Sequence, residues 1–335
     1  MPFGFWKRLL TLLHRGKMEP ASPPSEPAPP PAEEAEGEKP TAPLLLSTPE
    51  PTDETSTPAT PLLYPPQFRV GVAQSRGRVR ANNEDALLAW TLTAAGGERS
   101  VLGGLFIVAD GMGGHLHGER ASQAALYTFA YALHRHFFLP WLQNWEQPPP
   151  EALPNLEAAL EQANQAVQVM AAGGGTTLTA ALVWKERLVL IHVGDSRAYL
   201  LTPKGELRRI SKDHSVVARL VEQGDLSAEE AAHHPQRNML YQALGQPTPL
   251  NPHVHLDTLP PGGTLLLCSD GLWDEIPEAR LAALLQAYRQ DPIEAAQRLV
   301  AEAEMAGGHD NISVVVVYRL PMHPADLTAA SPPSS

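Results

Sequence analysis

The chain has 335 residues, 43% of them hydrophobic, enough for one large core with appendages. Its formal net charge of −12 excludes a protein built to neutralise nucleic-acid phosphates and suits one that gathers cations. The single cysteine, Cys268, excludes an intramolecular disulfide and agrees with a reducing, cytoplasmic location, and no apolar run reaches the ~18 residues that span a bilayer.

Residues 1–17 carry four basic groups and no acid, set among Phe3, Phe5, Trp6 and several leucines. The segment reads as an amphipathic anchor that makes peripheral membrane or docking contact, or as a terminus without function, since so short a helix is marginal without a partner. Residues 18–66 hold 15 of the 34 prolines and a net charge of −8, and read as a disordered linker: a spacer, or a ligand for a proline-recognising domain. Residues 67–320 form the globular domain, and 321–335 a disordered tail.

Within the domain, short apolar runs predict buried strands at Leu105–Ala109, Leu178–Val183, Leu188–Val193, Leu265–Cys268 and Ile312–Tyr318. Alanine-rich segments with helical spacing lie at Gly118–Phe138, Leu153–Ala172, Leu281–Tyr288 and Pro292–Met305, the last with Pro292 well placed in the first turn. Strands follow one another in hairpin fashion, as on either side of Lys185–Arg187, which predicts largely antiparallel sheets covered by helices.

The chemistry sits where the strands end. Leu105–Ala109 runs into Asp110-Gly111, Leu188–Val193 into Gly194-Asp195, and Leu265–Cys268 into Ser269-Asp270-Gly271; Gly308-His309-Asp310 leads into Ile312–Tyr318. One Asp-Gly is ordinarily a plain turn. Four acidic turns at strand ends are either four such turns or a gathering of carboxylates that requires cations between them. Oxygen donors without cysteine suit Mg²⁺ or Mn²⁺ rather than Zn²⁺. Cys268, inside an apolar strand, reads as core rather than as a nucleophile, and Trp273 also reads as core.

The ordered motifs Arg80-Ala81-Asn82-Asn83-Glu84-Asp85, Asp110-Gly111-Met112-Gly113-Gly114-His115, Gly175-Thr176-Thr177, Gly194-Asp195-Ser196-Arg197, Asp213-His214-Ser215, Ser269-Asp270-Gly271-Leu272-Trp273-Asp274 and His309-Asp310-Asn311 resemble the metal-dependent protein phosphatases (PPM, type 2C) in their bacterial form. The resemblance covers about residues 67–320. It implies an α+β fold of two packed antiparallel sheets flanked by helices on both sides, and a metal-dependent serine/threonine phosphatase using two or three Mn²⁺ or Mg²⁺ ions. By resemblance, Asp110 bridges two ions, Gly111 adds its carbonyl, Asp270 and Asp310 hold the first ion, Glu84 acts on the second, Asp195 serves a third with Asp270, and Arg80 grips the phosphate. A water between two such ions becomes hydroxide-like near neutral pH and attacks phosphorus in line, with no phosphoenzyme.

Asp85, His115 and Asp274 are accessory candidates: His115 as leaving-group acid or helix cap, Asp274 as a group reaching a metal-bound water or as a turn cap. Residues 216–245 resemble the family's flap, although Gln242 stands where a basic residue is frequent. The implied partner is a phosphoprotein, the target or product of a serine/threonine kinase, and the chain is expected to be a monomer. A catalytically dead relative would be expected to lack Asp110, Asp270 or Asp310. A small-ester phosphohydrolase would share the chemistry but not the motif order.

Overall fold

A computed structural model of the chain describes residues 65–321 apart from 97–98, 114–115, 145–149 and 248. The basic segment 1–17, the linker as far as residue 64, His115 and the tail from residue 322 lie outside the described residues.

Two five-stranded sheets carry the fold, and every strand pair in them is antiparallel. One runs β1 (Phe68–Ser75), β12 (Ile312–Arg319), β11 (Thr264–Cys268), β8 (Arg197–Leu201), β9 (Leu207–Arg209). The other runs β10 (His253–Thr258), β7 (Arg187–Val193), β6 (Leu178–Trp184), β3 (Arg99–Ala109), β2 (Ala86–Gly96). A two-stranded ribbon joins β4 (Gly111–Met112) to β5 (Gly175–Thr176).

Period-two alternation divides the apolar strands between two layers. In β3, Leu105 and Ile107 meet the helices while Phe106 and Val108 meet the opposite sheet. In β12, Val314 and Val316 face helices and Val315 and Val317 face the sheet. Both faces are therefore buried, which is why these strands read as unbroken apolar runs. Helices α1 (Leu116–Leu133) and α3 (Ala152–Met170) cover one sheet, through Phe129, Leu156 and Leu160 among others. Helices α7 (Glu278–Ala287) and α8 (Pro292–Ala306) cover the other through Leu281, Leu285 and Leu299. Each such aliphatic side chain contributes about 1.5–3 kcal/mol by leaving water.

Two local features depart from the sequence reading. The helix expected over Gly118–Phe138 widens into a π turn at His134–Phe138 before the short α2 (Leu139–Gln143). That widening lets consecutive Phe137 and Phe138 both bury, together with Trp141. Strands β1 and β2 did not stand out in the sequence because most of their residues are only half-buried. As predicted, Pro292 occupies the first turn of α8, and the Asp291 side chain caps that helix by accepting from the Glu294 N–H at 3.1 Å.

The pairing fixes where the loops fall. Ala86 at the start of β2 pairs with Ala109 at the end of β3, and Ser75 at the end of β1 pairs with Ile312 at the start of β12. Cys268 at the end of β11 pairs with Arg197 at the start of β8. Antiparallel parity thus brings the acidic loops to one end of the sandwich.

Candidate active site

At that end is a cavity of about 530 Å³, lined by Arg80, Glu84, Asp110, Gly111, Asp195, Asp270 and Asp310, with Asn238, Met239 and Leu240 from the 216–245 segment. All seven positions expected to carry the chemistry therefore share one cavity. Its five carboxylates face one arginine among its described lining residues.

The loops are held by the motif residues that are not acidic. The Asp110 N–H donates to Thr177 Oγ1 at 2.9 Å, and its carbonyl accepts from the Thr176 hydroxyl at 2.8 Å and the Thr177 N–H at 2.9 Å. Thr177 Oγ1 in turn pairs with Ser196 Oγ at 2.8 Å, tying the Asp110 loop to the Asp195 loop. Asn311 clasps the 76–84 loop: its side-chain amide donates to the carbonyls of Arg76 (3.0 Å) and Asn82 (2.8 Å) and accepts from the Glu84 N–H (2.7 Å). These buried or half-buried bonds explain why Thr and Asn recur beside the carboxylates.

Glycine is required by close approach. A β-carbon on Gly111 would lie 2.2 Å from the Gly118 carbonyl oxygen, and one on Gly118 would lie 1.8 Å from Glu84 Oε2 and 2.9 Å from the Gly111 carbonyl oxygen. The Glu84 carboxylate and the Gly111 carbonyl thus meet over Gly118.

Electrostatically the cluster is strained. Desolvation, then the charge of Asp270, pushes Asp110 well above the usual carboxylate range; desolvation, then Asp195, does the same to Asp270. Asp195, 6% exposed, is raised to about 7 by desolvation and then by Asp213. Asp270 Oδ1 is buried without a hydrogen-bond partner. Among the described residues no three His, Cys, Asp or Glu side chains stand close enough to enclose an ion as they are, and Asp310 accepts from Arg80 Nη2 at 2.6 Å. The donor set nonetheless fits a hard divalent cation. It consists of oxygen ligands, one of them an orphaned buried carboxylate oxygen, in a cavity whose charges disfavour one another unless positive charge enters.

The accessory candidates separate. Asp85 is buried behind the cavity, accepts from the Ser269 hydroxyl at 2.8 Å, and is raised to about 6 by desolvation. Asp274 is not in that cavity. Its carboxylate lies 3.5 Å from Arg237 and lines a neighbouring cavity, because the helical turn Asp270–Trp273 carries it past the site. Gln242 is also turned away, exchanging two hydrogen bonds with the Asn251 backbone. Cys268 is buried core, its thiol pushed up to about 12 by burial.

Sequence reasoning missed a brace beneath Asp195. Arg197 forks onto Asp213 with contacts of 2.7 to 3.2 Å and stacks 3.6 Å over Trp273, whose indole N–H donates to the Asp195 carbonyl at 3.1 Å. Trp273, half-buried and packed against the core, is thus also a structural partner of the site. The motifs Gly194-Asp195-Ser196-Arg197 and Asp213-His214-Ser215 contained the pair, but spacing alone does not reveal it.

The sequence profile described as protein phosphatase 2C matches residues 74–306. Serine/threonine protein phosphatase PstP of Mycobacterium tuberculosis (strain ATCC 25618 / H37Rv) is 38% identical over 255 residues; the aligned region is 74% of this chain but 44% of PstP, so the chain spans less than half of that relative. Serine/threonine phosphatase stp of Listeria monocytogenes (strain ATCC BAA-679 / EGD-e) is 34% identical over 253 residues, 73% of this chain and 93% of stp. The crystal structure of M. tuberculosis PstP/Ppp superimposes with a TM-score of 0.63 at 37% identity, covering 76% of this chain and 99% of that one. A structure of the PstP catalytic domain in complex with two manganese ions gives a TM-score of 0.61 at 35% identity, over 76% and 98% of the chains. The two-sheet fold, the motif order and these matches agree, and the chain belongs to the protein phosphatase 2C family.

Proposed function

We propose that this protein hydrolyses phosphoserine and phosphothreonine on other proteins, using two divalent cations and a weaker third, Mn²⁺ or Mg²⁺. The observation that carries the reading is the convergence of Glu84, Asp110, Asp195, Asp270 and Asp310 with Arg80 in one cavity at one end of the sandwich. Asp110 and Asp270 would hold the first cation with Asp310, Asp110 with the Gly111 carbonyl and Glu84 would hold the second, and Asp195 with Asp270 would serve the third. When bound, the cations lower the pKa of a water and absorb charge on the phosphoryl oxygens. The chain's own part is positioning. Thr176 and Thr177 fix Asp110, Asn311 fixes Glu84, and Arg80, with 55% of its side chain exposed, pivots from Asp310 onto an incoming phosphate as a planar fork donor.

In the cell the enzyme reverses a serine/threonine kinase, acting as a cytoplasmic monomer whose residues 1–17 touch an anionic membrane surface. The catalytic reading is tested by phosphate release from a phosphothreonine peptide in Mn²⁺, Mg²⁺ or chelator, with Asp110→Asn as control. Metal-dependent turnover that the substitution removes supports it; a folded chain inert with either metal overturns it.

A further inference from the structure

Asn238 lines the catalytic cavity and also a second cavity of about 590 Å³. Helix α4 (Val216–Gln223) supplies apolar lining to the second cavity through Val217, Ala218 and Val221, and Trp273 adds another side. The charge balance reverses across Asn238. The catalytic cavity has five carboxylates against Arg80, whereas the second has the cations Arg197, Arg209, Lys212 and Arg237 against Asp213, Glu222 and Asp274.

These pairs are unequal. Arg197 takes both oxygens of Asp213, leaving Arg209 a single 3.3 Å contact on the same carboxylate. Lys212 stands 3.9 Å from Glu222, with 67% and 63% of the two side chains exposed, and Arg237 stands 3.5 Å from Asp274. Exposed contacts this long contribute little, so exchanging them for a new anion costs little. Arg209, Lys212 and Arg237 therefore present donors with spare capacity, on a chain whose net charge is −12.

We propose that this second cavity receives an acidic side chain of the substrate protein, a few residues from the phosphorylated one, through Arg209, Lys212 and Arg237, so that phosphosites flanked by acid are preferred. This rests on the phosphatase reading above. Because the cavities share a wall, the acidic residue lies within about four positions of the phosphoresidue, given ~3.3 Å per residue of extended chain. Binding in an exposed, charged cavity of this kind acts on capture rather than on the chemical step, and weakens with salt.

The test uses the full chain with Mn²⁺, p-nitrophenyl phosphate, and phosphothreonine peptides in which one Glu is scanned through those positions. The expected result is a rise in kcat/KM of roughly tenfold at one or two adjacent positions, carried by KM and reduced by salt. The double substitution Arg209→Glu, Lys212→Glu removes or inverts the preference while p-nitrophenyl phosphate turnover stays unchanged. Absence of any positional preference in the wild type, or a preference that survives the double substitution, overturns the proposal. If the double variant also loses p-nitrophenyl phosphate turnover, its fold is damaged and Lys212→Gln decides by the same ratio, with halving or more expected. A wild type inert on p-nitrophenyl phosphate and peptides alike fails the phosphatase reading itself.

Discussion

Asp195 has an ordinary carboxyl on a residue that the fold nearly buries, and desolvation followed by Asp213 raises it to about 7. A carboxylate raised on folding binds its proton more tightly in the folded than in the unfolded state. Between its unfolded value near 3.8 and its folded value near 7, the folded protein carries the extra proton, so stability is lost as pH rises through that window. Asp85, raised to about 6, adds to the same slope at its lower end. In chelator, these two carboxylates therefore lower stability between pH 5 and pH 8, against the buried imidazoles of His192 and His214, which act the other way below about 6.5. Asp195→Asn should flatten that slope and stabilise the metal-free form at pH 8 by about 2–4 kcal/mol, read by thermal denaturation at both pH values. An unchanged slope in the variant would show that Asp195 is not the strained group. Asp110→Asn, which removes the carboxylate assigned to both principal cations, should lower kcat by about 10³-fold or more with the fold intact, checked by phosphate release alongside circular dichroism.

At the scale of elements, α1 (Leu116–Leu133) carries a glycine where alanine is ordinarily better by about 1 kcal/mol. Gly118 is kept because Glu84 Oε2 and the Gly111 carbonyl oxygen occupy the space a methyl would take, the first at the end of a flexible side chain and the second in the backbone. Gly118→Ala should therefore cut activity at least ~10-fold, through displacement of Glu84 and the Gly111 carbonyl, with a lower melting temperature from the backbone contact. A variant as active as the wild type would remove Glu84 from the site. The Arg197–Asp213 fork beneath Asp195 is tested through stability. Removing Asp213 strands a guanidinium whose side chain is only 15% exposed, and Asp213→Ala should cost about 3–5 kcal/mol, measured by denaturant unfolding. The two cases also mark what was legible in sequence. Strand ends followed by Asp-Gly were readable because strands buried on both faces are unbroken apolar runs, and the chemistry follows directly after them. The Trp273–Arg197–Asp213 stack was not, because it joins the helical turn Asp270–Trp273, the start of β8 and the Asp213 loop, whose meeting depends on the pairing of β8 with β11. Asp274, one helical turn after Asp270, ends that turn and lines the next cavity.

Across the whole molecule, antiparallel parity does what no single motif does: it brings loops from residues 80, 110, 195, 270 and 310 to one end of the sandwich. The sequence could suggest hairpin succession, but the strand order in each sheet depends on long-range pairings such as β1 with β12, and β1, whose half-buried residues mostly alternate with exposed ones, offers no apolar run to signal them. The membrane contact proposed for residues 1–17 belongs to this scale too. Full-length protein should sediment with vesicles containing anionic lipid, and the double substitution Lys7→Glu, Arg8→Glu should weaken that at least ~10-fold. Equal sedimentation of both proteins would leave the segment without that role.

If the acidic end of the sandwich is a divalent-metal centre, calorimetric titration of the metal-free full chain with Mn²⁺ will register it. Saturable uptake of two ions per chain is expected, with at least one lost in Asp110→Asn and in Asp270→Asn. A folded wild type that takes up no Mn²⁺, or one whose uptake neither substitution alters, would contradict it.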